Sequence, residues 1–137
     1  MRLLLLGGSF NPVHVGHLMM AEGLGREFGY GLVLLVPSYK PPHKDIACDP
    51  GPEHRLAMLD LAVRGDPTMR VDDCEIKRGG ISYTIDTLAD IASRYALVGK
   101  PGLVIGDDLM PGFSTWHHPD AIAREADLIC AHRKTGE

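Results

Sequence analysis

Apolar and polar positions along this chain fall into two alternating patterns. Short, nearly unbroken apolar runs at residues 3–6, 32–36, 69–71, 103–105 and 128–131 have the length and content of strands; such runs are covered on both faces. Between them, apolar positions recur every three or four residues. Residues 17–28 carry Leu18, Ala21, Leu24 and Phe28 at helical spacing. A second helix over residues 53–64 has Pro52 before it and Gly65 after it, a start and a stop signal. Ile85, Leu88, Ile91 and Tyr95 mark a third, beginning near Ser82-Tyr83-Thr84. Strands alternating with helices predict a single α/β domain, a doubly wound, Rossmann-like parallel sheet. Residues 37–52 hold five prolines and one glycine, so a loop interrupts the pattern there. Loops of that length in small domains are usually functional or disordered.

The first strand runs into GGSFNPVHVGH at residues 7–17. Gly7 and Gly8 allow a ligand to come close to the backbone, and the helix that follows aims free N–H groups and a positive dipole end at it. His14 and His17, at i and i+3, share one face of that helix start. The arrangement suits a phosphate. In open parallel sheets, ligands bind beyond the carboxyl ends of the strands, where the strand order reverses. Residues 7–17, 37–44 and 106–108 follow the first, second and fourth strands, so all three segments fall on one rim.

Composition narrows the partners. At 137 residues the chain can bury one core without staples. Fourteen basic residues against 18 acidic ones give a formal charge of −4, which argues against a nucleic-acid polymer or an anionic membrane. A bound phosphate is therefore met by locally placed groups. Cys48, Cys74 and Cys130 lie far apart without zinc spacing and read as reduced thiols of a cytoplasmic protein. The apolar run of residues 1–6 is too short for a signal peptide, and no stretch has membrane-spanning length. Asp72, Asp73 and Glu75 read as a solvated strand end, not a metal site.

Five segments together resemble the bacterial nicotinate-nucleotide adenylyltransferases, within the nucleotidyltransferase superfamily that shares H-x-G-H. They are GGSFNPVHVGH at 7–17, PSYKPPHK at 37–44, EHRLAML at 53–59, RGGISYTIDTL at 78–88 and IGDDLMPGFSTWHHPD at 105–120. Ser9 and Asn11 stand where that family often has threonine and aspartate. The family also continues past its fifth strand into a serine-rich segment ending near an arginine. Residues 132–137 show no such segment, so the resemblance implies a domain lacking it.

The resemblance implies attack by the 5′-phosphate of nicotinate mononucleotide on the α-phosphorus of ATP, with Mg²⁺ accompanying the ATP. It implies Gly7, Gly8, Ser9, Phe10, His14, His17, Gly106 and Asp107 for ATP, with His14, His17 and Lys44 as catalytic groups. Ser82, Tyr83, Thr84, Trp116 and His117 fall to nicotinate mononucleotide, the tryptophan offering a flat face to a cationic pyridinium ring. Each has a plainer alternative. Lys44 and Lys40 are otherwise solvated loop lysines, Arg55, which resembles the family arginine of its helix, a surface ion pair, and Trp116 a core or lid aromatic. Thr84 is otherwise a simple N-cap and Asp107 a turn cap. The competing functions are pantetheine-phosphate adenylyltransferase, which shares the opening motif, and a truncated nucleotide-binding domain with little turnover.

Overall fold

A computed structural model describes residues 1–8, 10, 15–39, 51–107 and 109–131, without the side chains of Val15 and His17. Five parallel strands form one sheet: β1 (Leu3–Gly8), β2 (Leu32–Pro37), β3 (Met69–Val71), β4 (Gly102–Gly106) and β5 (Asp127–Ala131). They lie in the order β3-β2-β1-β4-β5. Parallel neighbours need crossovers, supplied by α1 (Val15–Glu27), α2 (Pro52–Val63), the pair α3 (Cys74–Arg78) and α4 (Thr84–Arg94), and α5 (Pro119–Glu125). The single doubly wound domain expected from the pattern is the one observed.

Alternate residues of each strand feed two cores, one per face. Leu4, Leu6, Val33 and Leu35 pack with Ala21 of α1 and Leu59 and Val63 of α2. Leu3, Leu5, Leu34 and Val36 pack on the other face with Leu88 and Ile91 of α4 and Ile122 of α5. Helices thus cover both sides, which is why the strands read as continuous apolar runs. Two glycines permit the close approach of elements. A Cβ at Gly25 would stand 2.9 Å from Val33 Cγ2, and one at Gly102 would stand 2.6 Å from Tyr30 Cζ and 2.8 Å from Leu4 Cδ1.

The ladders around β1 differ in a way that locates the site. Pairing of β1 with β2 runs from Leu3↔Leu32 to Gly8↔Pro37. Pairing with β4 covers only Leu4↔Gly102 and Leu5↔Leu103. The carboxyl-terminal halves of β1 and β4 are therefore not joined, and the sheet opens where its strand order reverses.

Some expectations need correction. The first helix spans Val15–Glu27, not residues 17–28; Phe28 lies beyond its end and is 46% exposed. Gly29, at φ 74°, takes the left-handed turn just after it, the usual way a helix stops. α3, α5 and a 3₁₀ turn at Met110–Thr115 are too short to leave a periodic signal. Nor is the 72–75 run a solvated strand end. Asp72 is 6% exposed and accepts hydrogen bonds from Arg94 Nη1 and Nη2 and from Tyr95 Oη at 2.7–2.9 Å. Glu75 lies within α3 and accepts one from Thr87 Oγ1 at 2.7 Å. No helix among the described residues is long and apolar enough to cross a membrane.

Candidate active site at the sheet's switch point

Every crossover helix returns against its strands, so each begins on the carboxyl rim. That alone brings the starts of α1, α4 and α5 to one side of the molecule. At the end of β1, Gly7 and Gly8 are both exposed. Neither has a positive φ, and a Cβ at either would meet only ordinary contacts at 3.8–3.9 Å. Neither packing nor backbone conformation requires glycine at these two positions, which leaves a bare backbone open to a ligand. Ser38 N donates to Gly8 O at 2.9 Å, tying the ends of β1 and β2 together. Ser38 Oγ is buried with no hydrogen-bond partner among the described residues.

Phe10 follows at φ 51°, a left-handed conformation that costs a bulky residue energy and is held by its surroundings. Its ring is 7% exposed and belongs to the α1–α2 core. What Phe10 offers the rim is therefore backbone. The first turn of α1 contains His17, whose side chain is outside the described atoms. Ser9, His14, Lys40, Lys44 and Asp108 lie outside the described residues, so the expectations placed on them are neither met nor refused.

The second wall comes from β4. Gly106 ends the strand, and Asp107 N donates to Ala131 O at 2.9 Å, holding the turn against the end of β5. Both residues are half-buried. The chain then passes through Met110–Thr115 to Trp116, whose ring lies 5.2 Å from that of Phe113. Trp116 is half-buried and packed against the α4–α5 core, as the core alternative expected. His117 is exposed, with its ring 4.3 Å from that of Tyr83 and 4.2 Å from that of His118. His118, at φ 54°, makes the turn into α5.

Tyr83–His117 contact joins the two segments expected on the acceptor side, across 34 residues of chain. Tyr83, not Thr84, is the N-cap of α4, and no side-chain hydrogen bond caps that end. Asp86 N and Thr87 N both reach Tyr83 O at 3.0 and 3.1 Å. The amides of Thr84 and Ile85 come before the first turn closes and so lie outside the helix's own ladder. Ser82 lies one residue earlier, its Oγ accepting from Arg78 Nη1 at 3.0 Å.

Arg55 is not the surface residue that one sequence reading allowed. It is 0% exposed, and its guanidinium donates to Ser38 O at 2.6 Å and Tyr39 O at 2.8 Å. This buried cation holds two carbonyls at the entrance to the 37–52 loop, so the surface alternative does not hold. The sequence reading also missed Arg78, Glu75 and Thr87 as a connected set. Their only signal was that they lie in or beside the 78–88 segment. Among the described residues, no three His, Cys, Asp or Glu side chains gather to hold a metal ion.

Comparison with known proteins agrees with this geometry. The pattern of the cytidylyltransferase-like family matches residues 5–135. A Borrelia hermsii protein named "Probable nicotinate-nucleotide adenylyltransferase" is 41% identical over 133 residues, 97% of this chain and 69% of that protein. A Treponema pallidum protein of the same name is 39% identical over 135 residues, 97% of this chain and 66% of that protein. The chain thus spans about two thirds of the length of these relatives. The structure of Plasmodium falciparum nicotinic acid mononucleotide adenylyltransferase complexed with NaAD superposes with a TM-score of 0.80. At 17% identity, over 99% of this chain and 66% of that one, the likeness is one of fold.

Proposed function

The chain belongs to the cytidylyltransferase-like family and, within it, to the nicotinate-nucleotide adenylyltransferases, and from that premise we propose the reaction it carries out. It transfers the adenylyl group of ATP to nicotinate mononucleotide, giving nicotinate adenine dinucleotide and pyrophosphate on the route to NAD. The observation that carries the reading is the parting of β1 from β4 beyond Leu5 and Leu103. One wall of that crevice is the bare diglycine end of β1. The other leads through Gly106 and Asp107 to Trp116, its ring beside that of Phe113, and to the Tyr83–His117 pair.

The chemistry asks little covalent help of the protein. An oxygen of the mononucleotide's 5′-phosphate attacks the α-phosphorus, the bond to the bridging oxygen breaks, and pyrophosphate leaves with that oxygen. Rate comes from holding the two phosphates in line and stabilising the charge that develops. His17, with His14 and Lys44, is assigned to the triphosphate. Gly7, Gly8, Ser9 and the backbone of Phe10 line its approach, and Gly106 and Asp107 receive the adenosine end. Mg²⁺ enters with ATP as part of that substrate. On the acceptor side, Trp116 and the Tyr83–His117 pair bound the pyridinium ring. Its carboxylate meets the amides at the start of α4, with Ser82 and Thr84 beside them.

The test is product formation from MgATP with nicotinate mononucleotide, its amide counterpart and 4′-phosphopantetheine. The acid is expected to give pyrophosphate and the dinucleotide with the highest kcat/KM, because charge-assisted hydrogen bonds are about twice as strong as neutral ones. His17→Ala is expected to lose roughly 10²–10³ in kcat, the worth of one preorganised donor. Exclusive use of phosphopantetheine would overturn the assignment, as would ATP binding without pyrophosphate release.

A further inference from the structure

The turn between α3 and α4 contains consecutive glycines with positive φ, Gly79 at 72° and Gly80 at 63°. A Cβ at either would touch nothing within 4 Å, so no neighbouring atom packs against these two positions. One residue bridges it. Arg78, the last of α3, donates from Nη1 to Ser82 Oγ at 3.0 Å and to Thr87 Oγ1 at 3.4 Å. Its Nη2 stands 3.9 Å from Asp90 Oδ2. Thr87, 2% exposed, donates a hydrogen bond from its own hydroxyl to Glu75 Oε2 at 2.7 Å. The guanidinium therefore touches the residue just before Tyr83, the first turn of α4 and the second turn of the same helix.

Resting on the acceptor reading above, we propose that Arg78 is a positioning residue for the acceptor. It clamps the diglycine turn so that Ser82 and the amides at the start of α4 stand fixed opposite Trp116 and His117. Two features support the role. A planar fork can hold several acceptors at set angles, which a single ammonium does not. Burial pushes the Glu75 carboxyl up, while the Thr87 hydrogen bond and the Arg78 charge bring it down, so Arg78 also balances the carboxylate that anchors Thr87. Without the clamp, the two glycines let the start of α4 wander relative to the far wall. A shift of that kind weakens a ligand held between the walls and leaves the β1 side alone.

Two measurements on Arg78→Met and Arg78→Lys decide the matter. Hydrogen exchange of the ligand-free protein should speed up at amides 79–87 and stay unchanged in β1 and β4. The one tryptophan, Trp116, sits in the acceptor wall, so its emission reports titration with nicotinate mononucleotide. Both variants should bind the mononucleotide about tenfold more weakly, a typical loss for a hydrogen bond to a charged group, with ATP affinity unchanged. Arg78→Lys keeps the charge and provides the second test should Arg78→Met fold poorly. Unchanged exchange at 79–87, or equal weakening for both substrates, overturns the proposal. If the wild type itself does not bind the mononucleotide, the functional reading fails first and takes the acceptor role with it; failure confined to the variants counts against Arg78 alone.

Discussion

A single buried carboxylate shows how much one residue's surroundings change its chemistry. Asp72 is buried, which by itself would push its carboxyl up. Hydrogen bonds from Arg94, Tyr95 and Cys74 outweigh that burial and bring it down to about 2. A group whose folded pKa is depressed adds stability that is fully present above its unfolded value and lost as pH falls through the folded one. For Asp72 the window therefore runs from about pH 4 down to about pH 2. Arg94 is 42% exposed along its side chain, so solvent screening limits the contribution to the order of 1 kcal/mol. Urea melts should show the wild type losing this increment between about pH 4 and about pH 2, while Asp72→Asn lacks it. A parallel acid profile in the two proteins would refute the assignment. The same neighbourhood pushes the Cys74 thiol, by burial first and then by Asp72, up to about 12, consistent with a reduced, inert cysteine.

Within one element, two identical residues carry opposite demands. Gly23 and Gly25 both lie in α1. A Cβ at Gly23 would meet nothing within 4 Å, whereas one at Gly25 would press on Val33 Cγ2 of β2 at 2.9 Å. Glycine in a helix interior is less favourable than alanine, so Gly23→Ala should stabilise the protein by about 0.5–1 kcal/mol. Valine is stiff at χ1 and cannot swing aside, so Gly25→Ala should destabilise by about 1–3 kcal/mol through overpacking. Thermal melts should move in opposite directions, each by about 2–4 °C per kcal/mol in a domain of this size. A rise for both would mean that α1 does not press on β2 at Gly25. The helix periodicity marks which face is buried, but not how near that face comes to the sheet.

At the scale of the whole molecule, the site is a property of strand order. Reversal at β1 leaves a crevice between β1 and β4, and the return of the crossover helices puts their starts on the same rim. A nucleotide bound there touches several elements at once and stabilises the fold as a unit. ATP at about a hundred times its Kd should raise unfolding free energy by about 2.7 kcal/mol, seen as a higher Tm. If saturating MgATP left Tm unmoved, the switch-point site would be wrong whatever the reaction.

Much of this was legible in the linear sequence because it depends on local order. Aliphatic runs alternating with helical periodicity specify parallel strands and crossovers, since a strand buried on both faces must be apolar throughout. The segments at 7–17, 37–44 and 106–108 could be assigned to one rim because a parallel sheet puts every strand's carboxyl end on the same side. The sequence could not say that Tyr83 meets His117, that Arg55 is sealed under the 37–52 loop entrance, or that Asp72 is paired with Arg94. Those contacts join residues 16 to 34 positions apart, and only the angle at which helices lie on the twisted sheet decides them. An isolated carboxylate or guanidinium looks solvated on paper. Folding removes the water, and burial then requires a partner that only the packed molecule supplies.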